Sequence, residues 1–150
     1  MDLILWRHAD ARDGDPDLER PLTDKGLRQA EQMAAWLNRQ LPEDALILTS
    51  PALRTRQTAD ALQRKYKIVP DLAPGGDVAH VLAASGWPRH KGSVLVVGHQ
   101  PTLGETFSFL LWGEARPMSI KKGAVVWLTN RVRAEKALVL LKVALTPEML

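Results

Sequence analysis

The sequence predicts an α/β protein, a three-layer α/β/α sandwich with a mainly parallel central sheet and an antiparallel edge strand. Three observations carry this. Short runs rich in Val, Ile and Leu alternate with segments of helical period. The early runs LILW (3–6), ALIL (45–48) and SVLVV (93–97) are almost continuously apolar, as strands covered on both faces require. The last two runs, 124–129 and 137–143, are joined by only a short link, 130–135, so they pair antiparallel at or near one edge.

The elements come in this order. LILW reads as a buried strand that stops abruptly on Arg7 and His8. A polar loop runs to Pro21. Thr23 then caps a helix whose apolar face is Leu27, Ala30, Met33, Ala34, Leu37 and Leu41, with Pro42 at its end. ALIL is the second strand. Ser50 reads as an N-cap with Pro51 at the first helical position, and that helix continues through Leu53, Thr58, Ala61 and Leu62 to about Tyr66. Residues 67–69 suggest a short strand, and 71–76, with Pro74, Gly75 and Gly76, a loop. Asp77 caps a helix over 78–85. SVLVV is the most strand-like run, followed by Gly98-His99 and a helix from Thr102 to Leu111.

The bulk numbers narrow the function. A chain of 150 residues, 45% apolar and 25% charged, suits one soluble domain spanning 1–150. No apolar stretch reaches the ~18 residues that span a membrane, and Met1-Asp2 is followed at once by LILW without a basic leader, so the expected location is cytoplasmic. Cysteine is absent, which removes disulfides, thiolate metal sites and cysteine nucleophiles. Net charge is +3, with Asp10, Asp13, Asp15, Asp17 and Glu19 crowding an early loop. Lys121, Lys122, Arg131, Arg133, Lys136 and Lys142 make the last third basic. These read as solvated faces. Nucleic acid is not an expected partner, because no aromatic residues interleave the basic ones.

The chemistry gathers at three strand ends. LILW ends at Arg7-His8, ALIL leads to Ser50 and Arg54, and SVLVV ends at Gly98-His99. In a parallel sheet these ends share one edge, where open α/β sheets bind ligands. Each residue alone has an ordinary reading as an ion-pair partner, a structural histidine or a loop residue. Together they place two permanent cations and two titratable imidazoles around one point. Such a cluster needs an anion, and a phosphoryl group matches guanidinium forks best.

Arg7-His8 resembles the Arg-His-Gly signature of the histidine phosphatase superfamily, the phosphoglycerate-mutase-like family. Leu22-Thr23 with Gly26, Gln29 and Ala30 resembles its LTxxGxxQA segment. Ser50-Pro51-Ala52-Leu53-Arg54-Thr55-Arg56-Gln57-Thr58-Ala59 is similar to SPLxRAxQTA, and Val97-Gly98-His99-Gln100-Pro101 to VGHxP. The chain's length, Asp10 and the 72–74 segment look most like the SixA-type phosphohistidine phosphatases.

The resemblance implies a metal-independent hydrolase with no cofactor. In it His8 is the nucleophile, while Arg7, Arg54 and His99 bind the phosphate. The implied substrate is a phosphorylated protein, such as a histidine phosphotransfer domain in signalling. Two departures stand out. Ala9 replaces the usual glycine, a change the site is expected to tolerate. At LAPGGD (72–77) there is Pro74 and no general-acid glutamate. Asp10, Asp71 and Asp77 are the remaining candidates for a proton donor. Other readings are a phosphatase of small phosphomonoesters, a non-catalytic phosphoprotein-binding module, and a metal site on His8, Asp10 and His99. Fixed arginines disfavour the metal site. DGDPD (13–17) is no calcium loop, since Leu18 stands where glycine is required.

Overall fold

The computed structural model describes the backbone of residues 1–150 and every side chain except those of Val132 and Arg133. The side chain of Arg133, one of the basic residues of the last third, therefore lies outside the described residues. The strands are β1 (Asp2–Arg7), β2 (Leu46–Thr49), β3 (Lys67–Ile68), β4 (Ser93–Gly98), β5 (Val125–Arg133) and β6 (Lys136–Leu145). The helices are α1 (Asp24–Gln40), α2 (Leu53–Asp60), α3 (Val78–Ser85) and α4 (Thr102–Trp112). Strand order is β3-β2-β4-β1-β5-β6, with the first four parallel, β5 antiparallel to β1, and β6 antiparallel to β5.

The layers arise from strand alternation. Leu3 and Leu5 of β1, with Val94 and Val96 of β4, pack against Val81, Leu103 and Phe107 of α3 and α4. Ile4, Trp6, Leu95 and Val97 point the other way, onto Met33 and Leu37 of α1 and Ala59 of α2. Each such fully buried large side chain contributes about 2 kcal/mol. Trp6 is fully buried, and its indole N–H donates to the Gly123 carbonyl at 3.0 Å, so burial strands no polar atom.

Caps hold the helix starts. The Thr23 hydroxyl accepts from the Gly26 amide at 3.0 Å, and the Asp77 carboxylate from the His80 amide at 3.0 Å. Gly26 is required for packing, because a Cβ there would run into the Asp10 carbonyl.

Four expectations need correction. The buried stripe of α1 is Gly26, Gln29, Ala30, Met33, Ala34 and Leu37, so Leu27 falls off it and is 42% exposed. Ser50 does not cap α2. The helix starts at Leu53, and the Ser50 hydroxyl serves Ala52 and His99 instead. α2 stops at Asp60 rather than Tyr66, because Leu62 and Gln63 bond three residues back and Gln63 takes a φ of 53°. β5 and β6 extend through most of the supposed link and turn on Ala134 and Glu135 alone, with φ of 49° and 63°, a two-residue hairpin. Among the described residues, no helix is long and apolar enough to cross a membrane.

Candidate active site

Strand register builds the site. Arg7 of β1 lies opposite Gly98 of β4, and Thr49 of β2 opposite Val97. The ladder continues one step past the strands: the His8 amide donates to the Gly98 carbonyl at 3.1 Å, and the Ser50 amide to the Val97 carbonyl at 3.2 Å. His8 and His99 therefore meet, with ring centroids 5.3 Å apart. Arg54 enters from the first turn of α2. All four predicted residues line one cleft of about 320 Å³. A larger hollow, about 410 Å³, lies away from the strand ends beside Trp112 and Met118, and its one cation, Arg116, is already paired with Glu114.

His8 is 7% exposed, and its Nδ1 lies 2.7 Å from the Ala9 carbonyl oxygen. A carbonyl only accepts, so Nδ1 carries the proton and the lone pair sits on Nε2. Burial first, then the charges of Arg54 and Arg7, push the pKa of His8 down to about 4. The ring is thus neutral and nucleophilic near pH 7. Ala9 is fully buried, is not among the residues with positive φ, and donates its amide to Thr58 at 3.1 Å, so nothing in the turn demands glycine.

His99 is pushed down to about 3, by burial and then by His8. Its Nε2 lies 2.7 Å from the Ser50 hydroxyl, which also accepts the Ala52 amide. Among the described contacts the buried hydroxyl proton has no acceptor other than Nε2, so Nε2 takes it and Nδ1 of His99 is left as an N–H donor. Arg7 donates Nη1 to the Ile120 carbonyl at 2.7 Å, and burial holds its guanidinium below the usual value. Among the described side chains, three buried polar atoms lack a partner: Arg7 Nε, Arg54 Nε and His99 Nδ1. All three are N–H donors, and all three belong to residues of this cleft. Buried donors are normally satisfied, so the exceptions mark where an acceptor-rich group fits.

Asp10, Asp71 and Asp77, the carboxylates considered as proton donors, do not line the cleft. Asp10 accepts from Thr23 at 2.8 Å and from Lys122 at 3.0 Å, and these contacts hold it below the ordinary carboxylate range, ionised. It braces the loop onto α1. Asp71 lies in a short 3-10 turn and Asp77 caps α3, and neither lines the cleft, whereas Pro74 does. Among the described residues, no three His, Asp or Glu side chains converge as a metal site.

The cleft also includes residues not foreseen: Arg20, Asp13, Gln100 and Lys122. Gln100 ties the turn after β4 to the next loop, accepting from the Gly104 amide and donating to the Met118 carbonyl, both at 2.7 Å. Gly104 has to be glycine, because a Cβ would strike that same carbonyl. The signal for Gln100 was adjacency to His99. Arg20 and Lys122 are brought in by tertiary contact and left no local signal.

Comparison with known proteins gives the same picture. Residues 3–75 match the family model of the Histidine phosphatase superfamily (branch 1). The chain is 37% identical over 127 residues to the phosphohistidine phosphatase SixA of Escherichia coli (strain K12), covering 79% of each. Its fold matches the solved protein histidine phosphatase SixA complexed with tungstate, with a TM-score of 0.77, 28% identity and 99% of both chains covered. The alpha-ribazole phosphatase of Shigella flexneri shares the fold alone, with a TM-score of 0.69 at 17% identity over 94% of this chain and 95% of that one. By its sequence, its sheet and the residues gathered at its strand ends, this chain is a hydrolase that belongs to the histidine phosphatase superfamily.

Proposed function

We propose that this phosphatase removes the phosphoryl group of phosphohistidine on a phosphotransfer protein, through a covalent intermediate on His8. The observation that carries the reading is the set of three unpartnered N–H donors of Arg7, Arg54 and His99 around a neutral His8. His8 Nε2 attacks phosphorus as the P–N bond to the substrate imidazole breaks. That imidazole leaves with the proton already on its other nitrogen. Arg7, Arg54 and His99 hold the phosphoryl oxygens and stabilise their charge through both displacements. Water then attacks the phosphorus of phospho-His8 and releases phosphate, restoring the neutral ring.

The choice of substrate rests on the leaving group. A serine or sugar phosphate departs as an alkoxide and needs a general acid. An imidazole leaving group has a conjugate acid of pKa about 6.5 and needs little help near pH 7. The only carboxylate lining the cleft among the described residues is Asp13, which is exposed. The SixA name of the relatives supports the same substrate.

The test is a side-by-side kcat/KM measurement at neutral pH on a phosphohistidine protein, phosphoserine and phosphoglycerate. The phosphohistidine protein is expected to be cleaved at least about tenfold faster. An acid-labile phosphoenzyme is expected in the native protein and not in His8→Ala. A phosphomonoester that matches the phosphohistidine protein would overturn the substrate, and full turnover in His8→Ala would overturn the mechanism.

A further inference from the structure

The acidic stretch between β1 and α1 looks like solvated loop, and residues 12–19 are exposed. One of its carboxylates nevertheless reaches the site. Arg54 is 3% exposed, and it donates Nη1 to the Asp17 main-chain carbonyl at 2.8 Å and Nη2 to Asp17 Oδ2 at 3.1 Å. The other oxygen, Oδ1, accepts from Arg20 Nε at 3.1 Å. One residue thus holds two of the three arginines that line the cleft. Asp17 itself does not line it.

A guanidinium presents its donors along fixed edges of a plane. The end edge lies between the two Nη groups, and the side edge between Nε and Nη2. Asp17 occupies the end edge of Arg54. The Nε–H on the side edge is buried and has no partner. We infer that Asp17 is a positioning residue: by holding the end edge of Arg54 it turns the side edge toward the phosphoryl oxygens, and by holding Arg20 it keeps a third arginine beside them. Arg54 needs such a hold, because a long side chain among like charges otherwise spreads over several rotamers. The carboxylate is ionised near neutral pH, held below its usual value by the hydrogen bond from Arg54 and then by Arg20.

The inference rests on the reading of Arg54 as a phosphoryl clamp, so the experiment separates the two. Asp17→Ala and Asp17→Asn are made in the native and the Arg54→Ala backgrounds. Tungstate affinity is read by calorimetry, and kcat and KM with p-nitrophenyl phosphate as probe. Asp17→Ala is expected to weaken tungstate binding and lower kcat/KM by about tenfold, a fraction of what loss of a whole charge-stabilising donor costs. Asp17→Asn keeps one side-chain oxygen for Arg54 but sets an amide N–H against Arg20, and is expected to fall between native and Asp17→Ala. In Arg54→Ala, the further change Asp17→Ala is expected to cost less than about twofold, the non-additivity of residues acting through one another. Equal costs in both backgrounds, unchanged tungstate affinity in Asp17→Ala, or tighter binding would overturn the inference. Unchanged tungstate binding and turnover in Arg54→Ala alone would overturn the clamp, and the inference with it.

Discussion

The carboxyl ends of β1, β2 and β4 and the β5–β6 ribbon are made of similar apolar strands, yet they carry opposite chemistry. β4 is buried throughout, and the first three end on His8, Ser50 and His99, all buried polar residues. The outer ribbon strand exposes Leu138, Leu140 and Leu141 at 44%, 41% and 46%, and among its described residues no titratable side chain is buried. The difference comes from how the chain leaves each strand. A parallel strand must cross over, so its last residues are left at a common edge where helices begin. A hairpin strand turns straight back, and its end residues pair with each other. The segment just before β5 serves the site mainly through main chain: the Ile120 carbonyl holds Arg7 and the Gly123 carbonyl holds Trp6, while the Lys122 side chain lines the cleft.

Substitutions can break this contrast. The largest effect is expected at Arg54. Arg54→Ala should cost about 3 kcal/mol or more in transition-state stabilisation, read from kcat/KM. Arg56, two residues along the same helix, bonds back to the Pro51 carbonyl at 3.1 Å and does not line the cleft, so Arg56→Ala should cost little. Equal losses would show that position on α2, and not the strand-end cluster, sets the effect.

pH sharpens the comparison next. His8 and His99 titrate near 4 and 3 in the folded protein, against about 6.5 when unfolded. As pH falls below about 6.5 the unfolded chain takes up protons that the native site refuses. Stability therefore falls with falling pH through the window down to about 4 and is flat above it. Between pH 7 and 5 each histidine should remove about 2 kcal/mol. Denaturant unfolding at the two pH values checks this, and His8→Ala should show roughly half the native drop. The smallest effect belongs to the ribbon. Leu140→Ser, on the exposed side, should change stability by less than about 0.5 kcal/mol and leave kcat/KM unchanged.

The sequence showed the site better than its surroundings. Arg7, His8, Arg54 and His99 were legible because each adjoins a strand end or the first turn of the next helix, and parallel register brings such positions together. Arg20 and Lys122 were not, because Asp17 and Asp10 place them by contacts that leave no periodic trace. The length of the hairpin was hidden for another reason. Residues 130–135 carry three charges, on Arg131, Arg133 and Glu135, and only one large apolar side chain, so they read as a link between strands. Ser50 was misread because the same residue suits a helix cap and a hydrogen bond to His99, and the second use won.

The Ile120 carbonyl on Arg7 has a consequence for how the molecule comes into being. That bond joins residues 113 positions apart, and the bond between Trp6 and Gly123 spans 117. Closing such long loops comes late and slowly, because their entropy must be overcome before any contact rewards it. During synthesis His8 and Arg7 emerge early, but the guanidinium gains its anchor only after nearly the whole chain has left the ribosome and β5 has docked on β1. A nascent chain thus carries His8, the proposed nucleophile, long before Arg7 is anchored, and the proposed clamp is complete only at the end of folding.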